Sequence, residues 1–90
     1  MKGSSENDRE AERLIEEYIT KEAVVRPELL PLGRDTKLIE SGILDSLSIL
    51  KLVAFLEEKF GIKVSPEDVV STNFETVGAI SRFISGKKGT

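Results

Sequence analysis

The sequence of 90 residues contains no cysteine and no histidine. Without cysteine the chain has no disulfide, no thiolate metal ligand and no cysteine nucleophile. Histidine is the commonest general acid or base and a frequent ligand of catalytic zinc, so its absence removes much of the usual catalytic repertoire. Both absences argue against a metal site and against an enzyme that works with its own side chains.

Long apolar runs and blocks of like charge are also missing. No stretch approaches the roughly 18 apolar residues of a membrane-spanning helix, and residues 1–8 lack the apolar core of a secretory signal. The 16 acidic and 13 basic side chains give a net charge of −3 and are scattered, with no basic block that would follow a nucleic-acid backbone. We therefore expect a single cytoplasmic, monomeric domain that neither binds nucleic acid nor spans a membrane.

Helical periodicity predicts two long helices in the first two thirds of the chain. The first covers residues 8–22, where apolar residues recur at spacings of three and four. Those residues are Ala11, Leu14, Ile15, Tyr18 and Ile19. The second and stronger pattern covers residues 46–60, with Asp45 as the N-cap and Gly61 in the C′ position.

Two further helical segments are predicted in the last third of the chain. Ser65 followed by Pro66 and two acids predicts a short helix of one or two turns that ends near Val70. The last helix is expected to open at Asn73 and to stop at Gly86. Its apolar positions are Val77, Ile80, Phe83 and Ile84. No segment alternates with period two for long, so the predicted fold class is all-α.

The connection between the first two long helices is unusually long. It begins after the pair Val24 and Val25, includes Pro27, and runs to Asp45. Such a connection is rare in a compact domain unless it packs side chains of its own or carries function. Its apolar residues are Leu29, Leu30, Leu32, Leu38, Ile39, Ile43 and Leu44. We expect three main helices, one short helix and a long first loop in a domain of residues 8–85, between a disordered tail 1–7 and a flexible tail 86–90.

The second helix is more apolar than a helix lying on a core needs to be. At 100° per residue, one side carries Ile49, Leu52, Val53, Leu56 and Phe60. The opposite side carries Leu47, Leu50 and Ala54, together with Lys51 and Glu58. Two interpretations stay open: this opposite side is an exposed docking strip that begins one residue after Ser46, or it is buried under the long loop or the short helix.

The Asp45-Ser46-Leu47 motif presents a hydroxyl at the start of this helix. Free backbone N–H groups and the positive end of the helix dipole favour a phosphate attached in the first turn. An Asp before a Ser at a helix start is also a common structural N-cap. Taken alone, the motif therefore fits either role.

Residues 35–84 as a whole resemble the acyl and peptidyl carrier protein family. The resemblance is carried by TKLIESG at 36–42, DSL at 45–47, LVAFLEEKFGI at 52–62 and FETVGAI at 74–80. It implies a four-helix bundle of acyl-carrier-protein type and a 4′-phosphopantetheine arm transferred from coenzyme A to Ser46, with Asp45 and Leu47 completing the attachment motif. The reactive thiol then comes with the arm, which agrees with the missing cysteine and with the absence of catalytic residues.

By the same resemblance, the partner-facing surface comprises Leu47, Leu50, Lys51, Ala54, Val69 and Val70. Packing in the core is the alternative for the two valines. Ile62 and Val64 are expected in the core. Glu57 and Glu58 either meet basic partners or form a solvated helix end.

The type of carrier is indicated by departures from the carriers of fatty acid synthesis, which are strongly acidic. Ser48 and Lys51 stand where acids would be expected. The run SGILDSL at 41–47 is similar instead to carriers loaded by AMP-forming ligases, such as D-alanyl, free-standing aminoacyl and nonribosomal peptidyl carriers. The expected partners are a phosphopantetheinyl transferase, an AMP-forming ligase, and a downstream transferase, condensation enzyme or thioesterase. The alternatives are a polyketide or fatty acyl carrier, an unmodified helical interaction module and a small enzyme.

Overall fold

The structure, a computed structural model, describes residues 4–22 and 32–88, with side chains from residue 9 onward in the first segment. Its elements are α1 (Ser4–Glu22), α2 (Ser46–Phe60), a 3₁₀ turn (Pro66–Asp68), α3 (Ser71–Phe74) and α4 (Val77–Lys88). These two segments contain no strand. The all-α prediction, with three long helices and a short helical region between the last two, is confirmed.

The first helix begins at Ser4, one turn before its expected start at Asp8. Its buried side chains are Ala11, Ile15 and Ile19. They recur every four residues and therefore lie on one side of the helix. On the flank, the ring of Tyr18 stacks on the ring of Phe55 in α2, with centroids 4.2 Å apart. Since α1 also contacts α4, it packs on both of the other long helices.

One hydrophobic core is shared by the long helices and the connections between them. Its buried residues are Ile15, Ile19, Leu32, Leu38, Ile43, Leu44, Leu52, Leu56, Ile62, Phe74, Val77, Ile80 and Ile84. The prediction for Ile62 is confirmed, and Val64 packs against the core while remaining half-buried. Burying large apolar side chains is the main favourable term in folding, so these residues hold the bundle together.

Residues 32–45, the described part of the long connection, belong to this core. The Leu38 N–H donates to the main-chain oxygen of Glu75 at 2.8 Å. The Gly78 N–H donates to the main-chain oxygen of Arg34 at 2.9 Å, and the Arg34 guanidinium lies 3.3 Å from the carboxylate of Glu12. These contacts attach the connection to α1 and to the start of α4. A connection of this length is uncommon in a compact domain unless it packs in this way or carries function. Some residues assigned to it from the sequence lie outside the described residues: Val24, Val25, Pro27, Leu29 and Leu30.

The start of the last helix differs from the prediction. Asn73, expected to open it, lies inside α3, where its side-chain amide donates to the main-chain oxygen of Asp68 at 2.8 Å. The last helix begins instead at Val77. The Thr76 hydroxyl caps it by accepting a hydrogen bond from the Ala79 N–H at 3.0 Å. The short helix expected to end near Val70 is reduced to the 3₁₀ turn at Pro66–Asp68, and α3 is a separate element after it.

The end of the last helix also differs, because α4 passes through Gly86 and ends at Lys88. A glycine inside a helix costs only about 1 kcal/mol relative to alanine. Lys87, in the added turn, forms an ion pair of 2.6 Å with Asp68. A cation in the last turn also interacts favourably with the helix dipole. These two contributions explain why the helix continues beyond the predicted stop.

Candidate functional site

Ser46 is the first residue of α2, and its side chain is exposed. Asp45 caps the helix: its Oδ1 accepts a hydrogen bond from the Ser48 N–H at 2.9 Å, and this bond lowers the pKa of Asp45 below its usual value. Among the described residues, no group forms a hydrogen bond with the Ser46 hydroxyl. The cap thus leaves that hydroxyl accessible to a modifying enzyme.

The environment of Ser46 fits a phosphate ester. The serine stands at the N-terminus of a helix of 15 residues, where the free N–H groups and the helix dipole favour an anion. The first turn of α2 contains no acidic residue that would repel it. The exposed hydroxyl and the positive helix end together suit a phosphodiester-linked arm.

The position of Ser46 is fixed by the residues that precede it. Ile43 and Leu44 are both buried, and the Leu44 N–H donates to the main-chain oxygen of Leu38 at 2.9 Å. Gly42 makes the turn before them with a φ of 84°, a left-handed conformation that glycine adopts without steric cost. Two buried residues therefore anchor the chain directly before the exposed cap and serine.

The opposite side of α2 lies at the surface, so its apolar residues are not buried under another element. The side chain of Leu47 is 62% exposed and that of Leu50 is 60% exposed. Lys51 and Ala54 are exposed beside them. The core side contains the buried Leu52 and Leu56, flanked by half-buried apolar residues. We call Leu47, Leu50, Lys51 and Ala54 the α2 strip.

The two valines predicted beside this strip differ in burial. Val69 packs against the core and is half-buried, whereas Val70 is 47% exposed. The segment that carries them is fixed by Asp68, whose carboxylate accepts hydrogen bonds from the Ser65 N–H at 3.0 Å and hydroxyl at 2.9 Å. The ion pair with Lys87 and these bonds lower the pKa of Asp68 to about 2. Val70 thus belongs to the surface and Val69 mainly to the fold.

The paired acids at the end of α2 have different roles. The Glu57 carboxylate is half-buried and accepts a hydrogen bond from the Val64 N–H at 2.9 Å, which attaches the chain after Gly61 to the helix. Glu58 is exposed. Of the two, Glu57 therefore has a structural role, and Glu58 is the one accessible to a partner.

A narrow cleft beside Ser46 has no counterpart in the sequence analysis. The C-terminal turns of α1 and the N-terminal turns of α2 enclose a free volume of about 80 Å³. Its walls include Ile19 and Glu22 from α1, and Leu44, Ser48 and Lys51 from the other side. No local pattern could reveal it, because it forms only where two helices distant in sequence meet.

Two other kinds of site were sought in residues 4–22 and 32–88. Within these ranges no cluster of acidic side chains is arranged to hold a metal ion. The helices there are too short or too polar to cross a membrane. The surface around Ser46 is accordingly the main candidate for function.

Comparison with known proteins identifies the family. Residues 15–84 match the model of the family described as phosphopantetheine attachment site. The chain is a member of this carrier family. Carriers of this family are not enzymes; they hold substrates on a covalently attached 4′-phosphopantetheine, which supplies the reactive thiol, and present them to partner enzymes. The resemblance to acyl and peptidyl carriers is confirmed as membership of their family.

Curated relatives agree with membership of the carrier family. The acyl carrier protein of Wolinella succinogenes is 34% identical over 74 residues, which cover 82% of this chain and 92% of the relative. The acyl carrier protein of Borreliella burgdorferi is 42% identical over 55 residues, or 61% of this chain and 66% of the relative. The first alignment spans nearly a whole carrier, so the carrier assignment applies to most of this chain.

A solved structure supports the carrier fold. A chain in a structure described as the crystal structure of an FAD-dependent dehydrogenase superposes with a TM-score of 0.64 at 28% identity. The match covers 82% of this chain and 97% of that chain. That chain is therefore a domain of similar size, and the arrangement of helices is shared along nearly all of it.

Proposed function

We propose that Ser46 is the residue that carries 4′-phosphopantetheine, within the attachment motif Asp45-Ser46-Leu47. The observation that carries the proposal is the accessible Ser46 hydroxyl at the positive end of α2, inside the segment that matches the family. The arm supplies a thiol that holds cargo as a thioester. The contribution of the chain is to fix the attachment point by the Asp45 cap and the buried Leu44. The carrier domain expected at residues 8–85 is extended in this proposal by the first turn of α1 from Ser4 and by the last turn of α4 to Lys88.

Modification at Ser46 is tested by intact-protein mass spectrometry after incubation with coenzyme A and a broad-specificity phosphopantetheinyl transferase. The unaltered chain is expected to gain the mass of one phosphopantetheine, and Ser46→Ala is expected to gain none. Ser71→Ala is the matched control, because Ser71 is also an exposed serine at the first position of a helix. Failure of several transferases to modify the folded chain would leave the unmodified helical interaction module as the better explanation.

We further propose that partner enzymes dock on the α2 strip together with Val70 and the exposed part of Val69. Three large apolar side chains, Leu47, Leu50 and Val70, are exposed on this surface, and exposed apolar patches on small domains often mark partner sites. A small patch suits a carrier, since weak docking with fast dissociation lets it leave one enzyme for the next.

Docking on the strip is tested by the rate of phosphopantetheine transfer at limiting carrier concentration. Leu50→Ala is expected to lower kcat/KM about 5- to 30-fold, which corresponds to about 1–2 kcal/mol for a central apolar contact. Arg82→Ala, an exposed substitution on α4, is expected to leave the rate unchanged. Equal rates for both variants would place the transferase on another surface.

For the cargo, we propose an aminoacyl or similar acyl group loaded by an AMP-forming ligase and passed to a transferase, condensation enzyme or thioesterase. The strip that begins after Ser46 contains the cation Lys51, and Ser48 stands in the first turn of α2. The exposed acid on the same side of the helix, Glu58, lies near its C-terminal end, away from Ser46. This surface is poorly suited to docking driven by carrier carboxylates on basic enzymes. Nonribosomal peptide or related aminoacyl pathways fit this polarity.

A polyketide or fatty acyl cargo is the second candidate, and the names of the relatives favour it, since both are acyl carrier proteins. The holo-protein would be offered to AMP-forming amino acid ligases and, separately, to a malonyl transferase. Mass spectrometry then reports which group is added to the arm. Rapid loading by the malonyl transferase, with none by the ligases, would overturn the aminoacyl proposal while leaving the carrier role intact.

A further inference from the structure

We propose that the cleft between α1 and α2 binds the pantoyl part of the arm, the segment with two methyl groups next to the phosphate. This inference rests on the proposed attachment at Ser46. Leu44, Asp45, Leu47 and Ser48 all line the cleft, and they flank Ser46 on both sides in the sequence. The pantoyl group follows the phosphate within a few bonds, so it is the part of the arm that lies closest to this cleft.

The size of the cleft selects this part of the arm. Its free volume is about 80 Å³, roughly half of the 150 Å³ of an apolar protein cavity that binds benzene. A branched pair of methyl groups fits such a space, whereas a long acyl chain does not. The cleft therefore suits the arm itself and leaves the thioester and its cargo outside.

The chemistry of the walls matches the pantoyl group and its neighbours. The exposed Leu47 provides apolar surface for the methyl groups, and the largely buried Ile19 and Leu44 also line the cleft. Lys51 lies on the rim with a charge opposite to that of the phosphodiester. Glu22, on the α1 side, has a carboxylate that can accept a hydrogen bond from the pantoyl hydroxyl or the adjacent amide.

Two residues belong both to the cleft and to the α2 strip. Leu47 and Lys51 line the cleft, and both are exposed on the surface proposed for docking. A partner that covers them competes with the bound pantoyl group. The arm is therefore held against the carrier while it is free in solution, and it is released where a partner docks.

The experiment is NMR of holo-protein with labelled methyl groups, prepared with coenzyme A and a transferase. Cross-relaxation is expected between the pantoyl methyl protons and the methyl groups of Ile19 and Leu44. Ser48→Leu fills the cleft and is expected to abolish these signals. Arg82→Leu, which introduces a leucine at an exposed position of α4 outside both the cleft and the α2 strip, is expected to retain them.

The outcomes separate this inference from the attachment at Ser46. Mass spectra of the same samples report whether the arm is attached. An attached arm without cross-relaxation to α1 in the unaltered protein would overturn the cleft proposal and leave the attachment standing. No arm on any sample would overturn both. If Ser48→Leu does not fold, the spectrum of the unaltered holo-protein still decides the question.

Discussion

Helices α2 and α4 are both rich in apolar residues, yet they use them differently. The buried residues of α4 are Val77, Gly78, Ala79, Ile80, Ser81 and Ile84. In α2 only Leu52 and Leu56 are buried, while Leu47 and Leu50 remain about 60% exposed. Apolar surface that stays in water contributes nothing to folding. The comparison indicates that α4 serves the fold, whereas α2 divides its apolar side chains between the core and the surface proposed for docking.

The largest difference in the free energy of unfolding is expected between substitutions on the two sides of α2. Leu52→Ala removes a fully buried side chain and is expected to lower the free energy of unfolding by about 2–5 kcal/mol. Leu50→Ala makes the same chemical change at the surface and is expected to alter it by less than about 0.5 kcal/mol. Urea denaturation of both variants measures the difference. Similar losses would show that Leu50 is covered in solution, which would remove it from the docking surface.

The ends of the two helices offer a second, smaller contrast. Gly61 ends α2 with a φ of 67°, so Gly61→Ala is expected to destabilise the protein by about 1–2 kcal/mol. Gly86 lies inside α4 with open space around its Cα, so Gly86→Ala is expected to stabilise it by up to about 1 kcal/mol. Thermal denaturation of the two variants tests the signs. A destabilising Gly86→Ala would indicate that α4 ends earlier than Lys88.

The smallest expected effect on stability comes from Asp68, which attaches the segment that carries Val70 to α4. The pKa of Asp68 is about 2 in the folded protein, below its usual value of 3.8. The folded protein therefore favours the ionised form of Asp68. The stability that this form adds to the folded protein is present above pH 3.8 and is lost as the pH falls toward 2. The difference in urea midpoint between the unaltered protein and Asp68→Asn should shrink over this range. A constant difference would mean that Asp68 does not stabilise the fold through its charge.

Much of the fold could be predicted because its signals are local. The bounds of α2, the Asp45 cap and the Gly61 terminus all follow from adjacent residues, and periodicity alone separated the core side of α2 from its other side. The start of α4 could not be predicted in the same way, because Asn73 and Thr76 are both good N-caps. In the structure Asn73 bonds to the main chain of Asp68, and Thr76 caps α4. The extension to Lys88 depends on a contact with Asp68, which is distant in sequence.

The candidate site, like the fold, was predictable only where its signals are local in the sequence. The proposed attachment motif lies in three consecutive residues, but its interpretation needed the resemblance of residues 35–84 as a whole. Exposure of Leu47 and Leu50 depends on whether another element covers them, and periodicity gives no information on that. The cleft depends on Ile19 and Ser48, which come together only in the folded chain. Sequence patterns thus led to Ser46 as the proposed attachment residue and left its surroundings to the structure.

The ion pair between Lys87 and Asp68 has a practical consequence for protein engineering. Gly86 is the natural boundary at which to cut this domain or fuse it to another, since the sequence suggests that the last helix stops there. A junction at that point would remove Lys87 and leave Asp68 without its cation. The disturbance would reach Val70 on the surface proposed for docking. Fusions intended to keep carrier function should therefore join beyond Lys88.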